Sequence, residues 1–319
     1  MKKVEASAPS NIALVKYWGK RHTKLNLPLT SSFSVSLTNM RSHATITEAS
    51  GTEDEWDIHG NPSKAQKVLA CARAATQDER PLKISIVNDF PSGAGLASSA
   101  SSMAAFALAL NSYLADDAFD LETISHWSRL GSGSSVRSLY PGYVLWDAGT
   151  DEEGKDCVAH TAFAASHMPL SLVVCVVDDQ PKPIGSTAAM ERSRDTSPLY
   201  DEFHANNEQY LQEALDAVKN KDFYKLAEIS ESNCQAMHAV MQASQPPVNY
   251  FKTGTKQAIE HVQKMRQEGI PCFFTIDAGP NVKIFCTPEA KDEVHERCKS
   301  LSDVKHLLLD QVSDDSPAS

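Results

Sequence analysis

Pro91-Ser92-Gly93-Ala94-Gly95-Leu96-Ala97-Ser98-Ser99-Ala100-Ser101-Ser102 is the stretch on which the fold turns. Upstream, Lys83-Ile84-Ser85-Ile86-Val87 alternates apolar and polar residues with period two, as a half-buried strand does. Downstream, residues 103–114 are rich in Ala and Leu and predict a buried helix. Small residues between a strand and a helix let the backbone approach a phosphate. The helix start adds free N–H groups and partial positive charge. The serine hydroxyls are further donors and can touch a magnesium ion. The stretch is not a Walker loop, because it lacks G-K-[ST]. It is not a dinucleotide fingerprint either, because Ser98 stands where the third glycine belongs. The plain alternative is a tight turn with a serine cap. Four serines directly before an Ala-rich helix exceed what a cap requires.

Outward from this stretch, residues 34–37, 44–47, 143–146 and 172–177 read as strands. Residues 200–241, 256–268 and 290–301 read as helices, with two strand candidates at 272–276 and 282–286. Strands followed by helices in both halves predict an α+β protein of two layered lobes, 1–180 and 181–319, dividing near residues 178–180. The acidic end, residues 313–317, predicts a frayed tail.

The 319 residues are 41% hydrophobic and 22% charged, as in a soluble globular protein. Asp and Glu number 41 against 30 Lys and Arg, a net charge of -11, which is the opposite of a nucleic-acid binder's balance. A phosphorylated metabolite must therefore be met by a local cluster of cations and backbone N–H groups. No apolar run approaches the roughly 20 residues a membrane span needs. The positive start has no apolar h-region behind it, so a cytoplasmic protein is expected. The seven cysteines include no CxxC pair, and the eleven histidines show no H-x-H or HExxH spacing. Neither a disulfide framework nor a metal held by a protein motif is expected.

Three further constellations carry chemistry. Asn11-Ile12-Ala13-Leu14-Val15-Lys16-Tyr17-Trp18-Gly19-Lys20-Arg21 concentrates cations in an acidic chain. Lys16 and Lys20 face one way if the stretch turns helically, and Tyr17 and Trp18 would wall the site; a solvated charged face is the alternative. Gly131-Ser132-Gly133-Ser134-Ser135-Val136-Arg137-Ser138 is a second small-residue turn. Its arginine presents a fork suited to a carboxylate or phosphate, and Ser134 can donate to the same anion. A flexible loop with a surface arginine competes with that reading. Thr275-Ile276-Asp277-Ala278-Gly279-Pro280-Asn281 puts one carboxylate between two apolar runs. An Asp in an apolar pocket beside a cation can orient a hydroxyl or accept its proton. By residue type alone, an Asx-type turn is the stronger reading.

Taken in order, these segments resemble the mevalonate diphosphate decarboxylases of the GHMP kinase superfamily. The resemblance runs from Ala8 to about Phe285 and is carried by Ala8-Pro9-Ser10-Asn11-Ile12-Ala13, Lys16-Tyr17-Trp18-Gly19-Lys20-Arg21 and Leu25-Asn26-Leu27-Pro28. Asn88-Asp89-Phe90-Pro91 with the Gly/Ser stretch, and Ser128-Arg129 with residues 131–138, continue it. Lys182, Ser186-Thr187, Met190, Met237-His238 and Pro246-Pro247 extend it into the second half. The fold implied is a two-lobed α+β GHMP kinase fold. Its N-terminal lobe is like domain 2 of ribosomal protein S5, and its C-terminal lobe is ferredoxin-like.

The resemblance implies ATP-dependent decarboxylation of (R)-5-diphosphomevalonate to isopentenyl diphosphate. ATP and Mg2+ are the expected cofactors, and a homodimer is the expected assembly. Asp277 would orient or deprotonate the 3-hydroxyl, Arg137 would clamp the carboxylate, and Lys16 and Ser186 would stand near the reacting phosphate. Tyr17, Lys20, Ser132 and Ser134 would bind substrate. Ser92, Gly93, Ala94, Gly95, Leu96, Ala97, Ser98 and Ser99 would bind nucleotide. The sequence departs from the family pattern at Gly185, at Ser135-Val136, at Pro141-Gly142-Tyr143 and at His22, and Lys64 stands where an arginine often reaches the diphosphate. A phosphomevalonate decarboxylase, a mevalonate 3-kinase and a silent ligand sensor are the competing readings.

Overall fold

A computed structural model describes residues 2–58, 62–91 and 97–317. The chain opens with β1 (Lys3–Val15), a small hairpin of β2 (Lys20–His22) and β3 (Leu27–Pro28), and the long β4 (Ser32–Glu48). Then come β5 (Glu55–Ile58), α1 (Ser63–Thr76), β6 (Leu82–Asn88), α2 (Ser98–Ala115) and α3 (Leu121–Gly131). A 3-10 turn (Gly133–Leu139), β7 (Tyr143–Trp146) and β8 (Ala159–Phe163) complete the first sheet, ordered β5-β6-β4-β7-β8 with β1 also paired to β4.

The strand candidates at 34–37 and 44–47 are one strand, not two. β4 looked broken because its middle has an unusual partner. Its pairing to β1 shifts register between Pro9 and Asn11, which leaves residues 37–40 off the ladder. The Asp310 carboxylate accepts their N–H groups instead, from Thr38 at 3.0 Å, Asn39 at 3.0 Å and Met40 at 2.8 Å.

The second sheet is built from β9 (Ser171–Val176), which follows β8 in the chain. The helices α4 (Ser186–Thr196), α5 (Tyr200–Ala205), α6 (Asn207–Lys219), α7 (Phe223–Gln242) and α8 (Thr253–Gln267) come next. Last are β10 (Cys272–Thr275), β11 (Val282–Cys286), α9 (Lys291–Cys298) and β12 (His306–Gln311). The sheet is antiparallel, in the order β10-β11-β9-β12. β9 lies before the division expected near 178–180 yet is an interior strand of this sheet. Its Leu172, Val174 and Val176 join a core shared with β1, β4, α6 and α7, while Val173 and Cys175 face α8 and α9. Burial on both faces explains its unbroken apolar run. That shared core, with Ile12, Leu14 and Phe33 from one lobe and Phe273 and Phe285 from the other, sets how the lobes meet.

β1 and β12 were not anticipated as strands. The last part of β1 is buried on both sides and so shows no period-two pattern. The expected fraying of the tail is also corrected. The Ser313 N–H donates to Ser36 O at 3.0 Å, and its carbonyl accepts from Gly142 N at 2.7 Å. The Asp314 carboxylate takes the N–H groups of Ala165 and Ser166. Those backbone bonds tie the tail to the first lobe. Among the described residues, no helix is long and apolar enough to cross a membrane.

Candidate active site

A cleft of about 750 Å³ lies where the end of β1, the start of α2, the 3-10 turn, the start of α4 and the β10–β11 turn converge. Lys16, Lys20, Lys64, Lys67, Lys182 and Arg137 line it, against Asp277 and Glu191. This is the local cation cluster that a chain of net charge -11 needs in order to hold a polyanion. Residues 16–19 form no helical turn. Lys16, Tyr17, Trp18 and Lys20 reach the cleft because β1 ends there. The Lys16 N–H donates to Asn233 Oδ1 of α7 at 2.7 Å, which fixes the strand end.

Asp277 projects from the β10–β11 turn. The turn is made of turn-forming residues, but Asn281 also fastens it. The Asn281 Oδ1 accepts from the Val177 N–H at 2.7 Å and the Asp178 N–H at 2.9 Å. Behind the turn, Cys234 Sγ accepts the Ile276 N–H at 3.2 Å, and His238 Nε2 lies 3.2 Å from Ile276 O. Lys16 Nζ donates to Asp277 Oδ1 at 2.7 Å. Lys283 Nζ lies 3.2 Å from Oδ2. Burial by itself would raise the pKa of Asp277, but the two ammoniums outweigh it and hold the carboxyl well below the usual range. Sequence reasoning missed Lys283. The available signal was a lysine in the middle of Val282-Lys283-Ile284-Phe285-Cys286, since a charge buried in an apolar strand needs a partner.

Arg137 is 4% exposed in the 3-10 turn. Its Nε donates to Asn11 Oδ1 at 3.1 Å and its Nη1 to Ser32 Oγ at 2.7 Å, and the guanidinium lies over the Trp146 ring at 5.7 Å. Burial lowers its pKa to about 10, so it stays charged at neutral pH. Ser132 and Ser134 line the same wall. A Cβ at Gly133 would lie 2.7 Å from the Tyr17 hydroxyl, so glycine is what lets the serine turn approach that ring. The Tyr17 hydroxyl is buried with no hydrogen-bond partner among the described residues. Lys20 Nζ donates to Asn26 Oδ1 at 2.7 Å, and Asn26 in turn donates to Arg129 O and Leu130 O.

Ala97, Ser98 and Ser99 line the cleft at the start of α2, with Lys64 Nζ donating to Ser99 Oγ at 3.3 Å. Ser92, Gly93, Ala94, Gly95 and Leu96 lie outside the described residues. The other two serines face inward. Ser101 and Ser42 hydroxyls are 2.6 Å apart, and Ser102 donates to Asn88 Oδ1 at 3.1 Å. They fasten the helix to β4 and β6, so half of the serine cluster is structural. Ser186 begins α4 at the cleft. The neighbouring Gly185 has open space where a Cβ would be. Lys182 donates to Ala278 O at 2.7 Å, and burial, helped by Lys283, lowers its pKa to about 8. Among the described residues, no group of three or more His, Cys, Asp or Glu side chains is placed to hold a metal. The cationic lining, the partnerless Tyr17 hydroxyl and the serines at the helix start fit a magnesium-bound polyphosphate that brings its own metal.

The chain matches the "Diphosphomevalonate decarboxylase-like N-terminal domain" over residues 8–159 and the "Mevalonate 5-diphosphate decarboxylase C-terminal domain" over residues 172–316. It is 35% identical to diphosphomevalonate decarboxylase mvd1 of Aspergillus fumigatus, over 92% of this chain and 79% of that protein. A crystal structure of mevalonate diphosphate decarboxylase from Staphylococcus aureus superposes with a TM-score of 0.92 at 31% identity, covering 99% of this chain and 97% of the other. A second, solved as MDDEF in complex with MVAPP, AMPPCP and magnesium, gives 0.89 at 32% identity, covering 98% and 97%. With both halves matched in order and the two-lobed architecture shared throughout, the chain belongs to the diphosphomevalonate decarboxylase family of the GHMP kinase superfamily.

Proposed function

We propose that this protein converts (R)-5-diphosphomevalonate and ATP into isopentenyl diphosphate, ADP, phosphate and carbon dioxide. The observation that carries this reading is a single cleft lined by Asp277, Lys16, Arg137 and the first turn of α2. Arg137, already braced by Asn11 and Ser32, holds the substrate carboxylate, with Ser132 and Ser134 donating beside it. Tyr17 and Lys20 hold the diphosphate. Ser92 through Ser99 cradle the nucleotide phosphates, where magnesium, arriving with ATP, neutralises charge. Asp277 accepts a hydrogen bond from the 3-hydroxyl and aims its oxygen, and Lys16 and Ser186 meet the transferred phosphate. The hydroxyl oxygen bonds to the γ-phosphorus as ADP leaves, and the hydroxyl proton passes to a phosphate oxygen and leaves with the phosphate product. The C3–O electrons then depart with phosphate, and the pair from the broken C–C bond becomes the alkene as carbon dioxide leaves. Positive charge develops at C3, and an ionised Asp277 stabilises it.

The test is carbon dioxide release from carboxyl-labelled (R)-5-diphosphomevalonate with Mg-ATP. Labelled gas with stoichiometric ADP is expected. No gas from either the diphosphate or the monophosphate overturns the reading. A higher kcat/KM for the monophosphate moves the assignment to a phosphomevalonate decarboxylase. A 3-phosphorylated acid without gas marks a kinase.

Lys182 gives this reading a pH signature. Its ammonium titrates at about 8, within the range of an assay. Below that pH it is charged and attracts nucleotide phosphates, and above it the attraction fades. ATP affinity measured by titration calorimetry is therefore expected to weaken as pH rises through 8. Lys182→Met should bind more weakly at pH 7 and lose most of that pH dependence. The same reading keeps a homodimer in the cytoplasm. All seven cysteines are free and six are buried, which suits a reducing compartment.

A further inference from the structure

Lys283 is 0% exposed, on the face of β11 that also carries Phe285. It does not line the cleft, whereas Lys16 does. The two lysines therefore meet Asp277 from different sides. Lys16 holds Oδ1 at 2.7 Å from the cleft wall, and Lys283 stands 3.2 Å from Oδ2 in the interior. Burying an ammonium is costly unless it is paired, and nothing in the proposed reaction requires Lys283 to touch a substrate.

We infer that Lys283 is a positioning residue for Asp277: a fixed counterion behind the carboxylate that keeps it ionised and aimed into the cleft while Lys16 turns to an incoming phosphate. The inference rests on the decarboxylation reading above. A polyphosphate carries more charge than one carboxylate, so it draws the cleft-facing lysine. Asp277 would then be desolvated with a single cation beside it gone, and burial would favour its protonated form. A neutral Asp277 cannot stabilise positive charge at C3. Lys283 is held by the strand and cannot follow the phosphate.

The other groups facing this cluster do not take over the task. Arg137 and Lys182 add positive field from the 3-10 turn and the segment before α4. On α7, His238 is kept neutral by burial, its pKa lowered to about 3, and burial holds the Cys234 thiol protonated. Asp277 is thus the anion of the cluster, and Lys283 is the cation that is both in contact with it and away from the cleft.

The decisive variant is Lys283→Met, which keeps length and removes charge. The kcat at neutral pH is expected to fall about 10²-fold. KM for both substrates should stay within about twofold, since the residue lines neither site. The acid limb of the kcat–pH profile should move up past neutral pH, because a fall of that size at neutral pH requires the buried carboxyl to be mostly protonated there once both cations are gone. A kcat within about threefold of the parent, or a fall in kcat with an unmoved acid limb, overturns the inference. A second measurement needs no substrate and covers the case in which Lys283→Met alone does not fold. Asp277→Asn, which leaves two buried ammoniums facing a neutral amide, should lower Tm. Adding Lys283→Met to Asp277→Asn should recover part of that loss. If the double variant is no more stable than Asp277→Asn, the two residues are not coupled and the inference fails. Absence of carbon dioxide release from the parent protein would instead sink the decarboxylation reading, while this stability cycle still reports on the pair.

Discussion

Asp277→Ala is expected to stop carbon dioxide release, lowering kcat by about 10³-fold or more. The substrate Kd, measured by calorimetry, should change by less than about tenfold. The split follows from the geometry. In the proposed reaction, diphosphate and carboxylate are gripped by Lys20, Tyr17 and Arg137, and the bonds that brace Lys20 and Arg137 do not involve Asp277. In that reaction the 3-hydroxyl and the developing charge at C3 are the task of Asp277. Alanine also leaves Lys16 and Lys283 facing each other, 2% and 0% exposed at their side chains, with no anion between them. Breaking a buried ion pair by removing one partner costs about 3–5 kcal/mol, so Tm should fall as well. Retained turnover with a large rise in substrate Kd would show that Asp277 binds rather than reacts, and the proposed mechanism would be wrong.

Arg137→Lys should reduce kcat/KM by about 10²-fold or more, although it preserves charge. The guanidinium divides its donors between Asn11 Oδ1 and Ser32 Oγ while lying over Trp146. An ammonium can replace one of these bonds at a time and presents no planar fork to a carboxylate. The lost bond leaves a buried acceptor unpaired, at about 1–3 kcal/mol. Steady-state kinetics with the diphosphate should show most of the loss in KM, because in the proposed reaction the carboxylate is gripped before and during phosphoryl transfer. A variant with parental KM would mean that the carboxylate is held elsewhere.

Much of the cleft could be read from residue types. Small residues at 131–134 and 97–99 leave room for anions, and Lys16, Lys20 and Arg137 are cations without local counterions in sequence. The structure brings these residues to one cleft, and residue type is a guide to such a lining because it concerns chemistry that a residue carries wherever it sits. The turn at Asp277 was harder. Its residues suit an ordinary Asx turn equally well, and its identity as a site depends on Lys16, 261 positions away. The serines show the opposite error. Ser101 and Ser102 look like phosphate ligands in sequence, but their hydroxyls are engaged with Ser42 and Asn88 on the sheet below.

Local pattern alone fixed most helices and the strands β4, β6, β7, β9, β10 and β11, because period and propensity are properties of neighbouring residues. It also set the acidic balance and the family signature. Tertiary structure decided which charges meet. Asp277 receives Lys16 from the end of β1 and Lys283 from β11, and Asp310 of β12 takes the N–H groups that β4 cannot pair with β1. Charge compensation depends on distance through space and on exclusion of water. Neither quantity exists for these groups until the two sheets close on their shared core.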